Sequence, residues 1–98
     1  MTFTQTMTVQ TSSPQTLSDL LDGWHREQAG VAPGYQGARV LADKDQRGRY
    51  VIEVDFSSEE EARRNNDRPE TAAWAEKLRE VADGEPAYAN YEVVHTTG

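Results

Sequence analysis

The chain opens on TFTQTMTVQT, where Phe3, Met7 and Val9 share one face of an extended segment and Thr2, Thr4, Thr6 and Thr8 take the other. Period-two alternation in a run rich in β-branched residues predicts a strand. Ser13-Pro14 then supplies an N-capping residue ahead of a first-turn proline, and Leu17, Leu20, Leu21 and Trp24 follow at the i, i+3, i+4, i+7 spacing of an amphipathic helix that runs until Gly30. Gly23 is a weak spot inside it. After the Ala-Pro-Gly turn at 32–34, YQGARVLAD sets Ala38, Val40 and Ala42 against Arg39 and Leu41. A polar turn from Lys44 to Gly48, of hairpin length, leads into RYVIEVDF, where Tyr50, Ile52, Val54 and Phe56 oppose Val51, Glu53 and Asp55. Two carboxylates on that second face require it to be polar or wet.

The second half is helical, then extended. Ser57-x-x-Glu60 and Ser58-x-x-Glu61 are overlapping capping boxes, so a helix starts near Glu59. Asn65-Asn66-Asp67 reads as a helix stop with a left-handed asparagine, followed by Asp67 as the N-cap of the next helix with Glu70 three residues on. Within Glu70 to Asp83, Trp74, Leu78, Val81 and Ala82 form an apolar stripe, which Gly84 and Pro86 end. Ala87 to His95 alternates as a last strand, with Ala89, Tyr91 and Val93 on one side. Strand, helix, strand, strand, broken helix, strand is the order of the ferredoxin-like split βαβ arrangement, an α+β fold with a four-stranded antiparallel sheet. No repeat or long linker divides it, so residues 1–98 are expected to form one domain.

Composition changes this picture in one respect. Leu, Ile, Val and Phe number only 16 of 98 residues and the net charge is −7, values at which a chain can fail to fold, yet the periodicity argues for a folded chain with a thin core. Small domains reinforce such cores with disulfides, metals or self-association. There is no cysteine, and two distant histidines make no zinc set. Self-association remains, and a second sheet face carrying Leu41, Val51 and Val94 is suited to pack on a copy of itself as a homodimer. The acidic balance excludes nucleic acid and anionic membrane partners, because Arg63, Arg64 and Arg68 are interleaved with Glu59, Glu60, Glu61, Asp67 and Glu70. No run approaches the roughly 18 apolar residues of a membrane span and the N-terminus lacks signal-peptide features, so a cytoplasmic location is expected.

The run VAPGYQGARVLADKDQRGRYVIEVDFSSEEEARRNND resembles the antibiotic biosynthesis monooxygenase family of dimeric α/β barrels. In that family a Pro-Gly turn precedes a strand like GARVLAD, and the next strand ends in an aromatic residue followed by Ser-x-Glu-x-Ala, here Phe56, Ser58, Glu60 and Ala62. The resemblance implies a pocket between sheet and helices where asparagine, tryptophan or tyrosine dipoles polarise a phenol or enol. It nominates Asn66 and Trp74 as catalytic, Trp24, Tyr50, Asn65 and Tyr91 as contacts to a small aromatic ligand, and no cofactor. A haem-degrading branch would place an iron-ligating histidine where Asn65 and Asn66 stand, and asparagine is a poor iron ligand. His25 and His95 read as surface groups. Each nominated residue also has a plain structural reading: Trp24 and Trp74 head apolar helical stripes, tyrosines suit strands, and ARRNND suits a joint between helices.

Overall fold

Alternating Thr and apolar residues in the first strand, and Tyr50, Ile52, Val54 and Phe56 in the third, give two strands with one face apiece to bury, and they pair at the centre of the sheet. The computed structural model describes residues 2–98, with elements β1 (Phe3–Gln10), α1 (Pro14–Gln28), β2 (Tyr35–Ala42), β3 (Arg49–Phe56), α2 (Glu59–Asn66), α3 (Pro69–Val81) and β4 (Ala87–Glu92). The sheet order is β2-β3-β1-β4, antiparallel throughout, which is the ferredoxin-like topology. Register sets the faces: Phe3, Met7 and Val9 lie across from Phe56, Ile52 and Tyr50, so the apolar positions of both strands coincide.

The helices lie on that face. Leu17 and Leu21 of α1, Ala62 of α2 and Leu78 of α3 close over Phe3, Val9, Ile52, Val54 and Phe56 to make the core. The opposite face presents Thr4, Thr6, Thr8, Val51, Leu41 and Tyr91, with Arg39 paired to Glu53 at 2.7 Å and Thr4 Oγ1 donating to Asp55 at 2.7 Å. The wet surface that Glu53 and Asp55 call for is met in this way. Among the described residues no helix is long and apolar enough to cross a membrane, and no cluster of three or more metal-ligating side chains forms.

The joint between α2 and α3 differs from the sequence expectation. Among the described residues no non-glycine has positive φ, so neither Asn65 nor Asn66 takes the left-handed conformation, and both remain helical in α2. Asp67 closes α2 at φ −87°, and Arg68, at φ −84° and ψ 142°, precedes α3 as its N-cap without a side-chain capping bond. Pro69 is the reason: its ring excludes the helical region for the residue before it while suiting the first helical turn, so the break falls one residue later than Asp67. Helix α1 stops at Gln28, α3 at Val81 and β4 at Glu92, each short of the sequence boundary. At α2 the capping expectation resolves to a single cap, Ser58 Oγ accepting from Glu61 N–H at 3.2 Å, while the Glu61 carboxylate pairs with Arg64.

Candidate functional site

Helix α3 covers the sheet incompletely on the β1–β4 side, leaving a half-open cavity of about 360 Å³. Its sheet wall is Gln5, Met7, Val54, Phe56, Tyr88 and Asn90, and its helix wall is Leu21 and Trp24 from α1, Asn65 and Asn66 from α2, and Thr71, Ala72, Trp74 and Ala75 from α3. In a chain that is 28% charged, no Asp, Glu, Lys, Arg or His among the described residues lines it. The polar contributions are carboxamides, the Thr71 hydroxyl and the Tyr88 phenol.

Asn65 is the most constrained of these, with 3% of its surface exposed. Its Oδ1 accepts from Arg68 Nη1 at 3.2 Å and from Thr71 Oγ1 at 3.1 Å. Because a guanidinium can only donate, the atom it meets must be the amide oxygen, so the orientation of the carboxamide is chemically determined. Arg68 is held in turn by Gln28 Oε1 and Glu70 Oε2, both at 2.8 Å. The Nδ2 group of Asn65 meets no acceptor among the described residues and is left as a fixed donor at the cavity wall. The joint between α2 and α3 is thus a polar clamp across three helices that aims one amide.

Trp74 and Trp24 meet edge to face, with ring centroids 6.1 Å apart. The Trp74 indole N–H donates to the Leu20 carbonyl at 3.0 Å, so it ties α3 to α1 and has no donor to offer a ligand. With its N–H engaged in this way, Trp74 presents ring surface to the cavity. Trp24 is 8% exposed and its N–H meets no acceptor among the described residues. Both indoles also border a second cleft, between α1 and α3 with Asp19, Glu27, Glu70 and Lys77 on its rim, and so stand between it and the cavity.

Of the six nominated residues the structure brings four together: Trp24, Asn65, Asn66 and Trp74. Asn66 is exposed, at the mouth. Tyr50 and Tyr91 stand elsewhere. Tyr50 faces the helices but lies across from Val9 and Ala42, at the far end of β3 from Phe56. Tyr91 lies across from Thr4 and therefore shares the outer face with the threonines. Gln5, Tyr88 and Asn90 line the cavity without having been nominated. A signal for Gln5 existed, since it is the one polar residue on the inner face of β1, between Phe3 and Met7. For β4 the pattern points the wrong way, because the more apolar set Ala87, Ala89 and Tyr91 lies on the outer face while Tyr88, Asn90 and Glu92 turn toward the helices. His25 bonds to Tyr35 and His95 to Thr97, neither at the cavity.

This fold is that of the antibiotic biosynthesis monooxygenase-like proteins. The chain is similar to SnoaB of Streptomyces nogalater, a cofactor-independent oxygenase, at 18% identity and TM-score 0.68 over 97% of this chain and 93% of that one. It is also similar to Rv0793 of Mycobacterium tuberculosis, at 13% identity and TM-score 0.75 over 100% of both chains. A third similar structure, from Caulobacter crescentus and provisionally named as an antibiotic biosynthesis monooxygenase, gives 11% identity and TM-score 0.77 over 96% of this chain and 91% of that one. No family model matches the chain, and no curated protein matches it significantly. At such identities the likeness is one of fold.

Proposed function

We propose that the chain is a small, cofactor-independent monooxygenase-like protein acting on an aromatic or polyketide-type molecule held in the cavity between β1, β4 and the helices. The pinned carboxamide of Asn65 is the observation that carries this reading, a donor fixed before any ligand arrives on a wall otherwise made largely of aromatic and aliphatic groups. A phenol or enol oxygen set against Nδ2 ionises more readily, because a preorganised N–H stabilises the oxyanion where little water competes. An anion of sufficient electron density reduces dioxygen itself, and the protein's share of the work is orientation, partial drying and charge stabilisation. Phe56, Trp24 and Trp74 supply ring surface, and Asn66 meets the ligand at the mouth.

A wall to which the described residues bring carboxamides and rings and no carboxylate or imidazole base supports a second reading, a homodimeric module that binds such a molecule without turning it over. Oxygen uptake and calorimetric binding with a panel of hydroxylated aromatics separate the two. Under either reading Asn65→Ala should lose about 1.5–3 kcal/mol of binding or transition-state stabilisation, that of a hydrogen bond to a charged group. Asn65→Asp is the cleaner variant, since it keeps an oxygen for Arg68 and Thr71 while replacing the donor by an anion. It should hold its melting temperature and lose the ligand. Wild-type binding in Asn65→Asp would remove the carboxamide from the mechanism.

A further inference from the structure

The inner face of β1 runs Phe3, Gln5, Met7, Val9, and the glutamine breaks it at the centre of the sheet. Gln5 lies across from the buried Val54 on one side and from Asn90 on the other, so its neighbour on β4 is a second carboxamide on the same face. Directly opposed residues on antiparallel strands have Cβ atoms about 5 Å apart, close enough for both amides to meet one ligand group. Both line the cavity, Gln5 half-buried and Asn90 exposed at its edge, and neither amide is sealed away from whatever enters it. A leucine at Gln5 would extend the apolar face toward Met7 and Phe3, whereas the carboxamide keeps a polar group at the cavity wall that is not buried away from solvent.

We propose that Gln5 and Asn90 form a second polar subsite, on the sheet wall, that selects ligands carrying an uncharged hydroxyl or carbonyl at the end remote from Asn65. The inference rests on the reading above that the cavity holds an aromatic molecule, and it specifies which kind. Two primary amides offer donors and acceptors together, so they accept either an oxygen that donates or one that only accepts. They carry no charge, and among the described residues no cation lines the cavity to balance a carboxylate or phosphate. The favoured ligand is therefore a flat, neutral molecule with polar groups at both ends, one for the α2 wall and one for the β1–β4 wall.

Calorimetric titration with 1-naphthol, which has one hydroxyl, and 1,5-dihydroxynaphthalene, which has one at each end, tests this. The wild-type chain should prefer the diol by up to about tenfold, the effect of one net hydrogen bond. Gln5→Leu combined with Asn90→Leu should abolish that preference, so that the ratio of the two affinities falls to about one whatever the affinity for 1-naphthol itself. A merely structural role for Gln5 predicts the opposite pattern, a lowered melting temperature with the preference intact. If the leucine variant fails to fold, Gln5→Met, close in length and shape, permits the same comparison. Retention of the diol preference overturns the subsite while leaving the cavity reading standing, and failure of the wild type to bind either naphthol overturns both.

Discussion

Tyr35 begins β2 with its ring edge-on to His25 and Phe56, centroids 5.6 Å and 6.4 Å away, and its hydroxyl 2.8 Å from His25 Nδ1. Burial disfavours its phenolate, so its pKa is raised. The folded chain holds this proton more tightly than the unfolded one. The corresponding stability is complete below the ordinary phenol value of about 10 and is lost as pH rises through the raised folded value. Urea melts of the wild type between about pH 9 and about pH 11 should therefore fall more steeply than those of Tyr35→Phe; parallel slopes would show that Tyr35 does not drive the loss. At this scale the sequence was a partial guide. That ARRNND lies near a cavity was legible from the resemblance, but which asparagine faces it was not, since that depends on Arg68 reaching Gln28, 40 residues away. The commitment of the Trp74 N–H to Leu20, 54 residues away, is of the same kind.

At the scale of elements, Gly34 joins the start of β2 to the start of α2. It has φ +66°, its carbonyl accepts from Ser57 N–H at 2.8 Å, and an added Cβ would lie 2.5 Å from Glu61 Cβ and 2.6 Å from Ser57 Oγ. Gly34→Ala should combine a left-handed backbone penalty with overpacking against the first turn of α2, about 2–5 kcal/mol together. A thermal or urea melt showing less than about 1 kcal/mol of loss would mean that the turn relaxes freely. The elements themselves were legible wherever one period dominated, as in β1, α1 and β3. Boundaries were misplaced where local chemistry competes: Asp67 is a good capping residue, but Pro69 dictates where α3 begins. In β4, where the more polar set Tyr88, Asn90 and Glu92 is the one turned inward, pairing with β1 and not the apolar pattern decides what faces the cavity, and that pairing is tertiary information.

Across the whole molecule the helices serve one face of the sheet, and the other exposes Leu41 and Tyr91, with Val94 exposed just beyond β4. Such a face, laced by the Arg39–Glu53 pair, suits contact with a second copy, so light scattering at micromolar concentration should give about twice the 11.0 kDa chain mass. Val51→Lys, placing a charge in the middle of that face, should weaken the association by tenfold or more if the face is the contact. A wild-type monomer with a sharp thermal transition would refute the pairing. The edge-to-face indoles have one more consequence. Trp24 and Trp74 are the only tryptophans in the chain, and both border the cavity. All of the protein's indole emission therefore originates at the wall where a ligand would rest, and the contact between the rings couples their transition dipoles. The chain carries its own optical gauge of occupancy: a bound aromatic quenches that light or takes up its energy, and any change in the angle between the rings alters the exciton signal in circular dichroism, with no label attached.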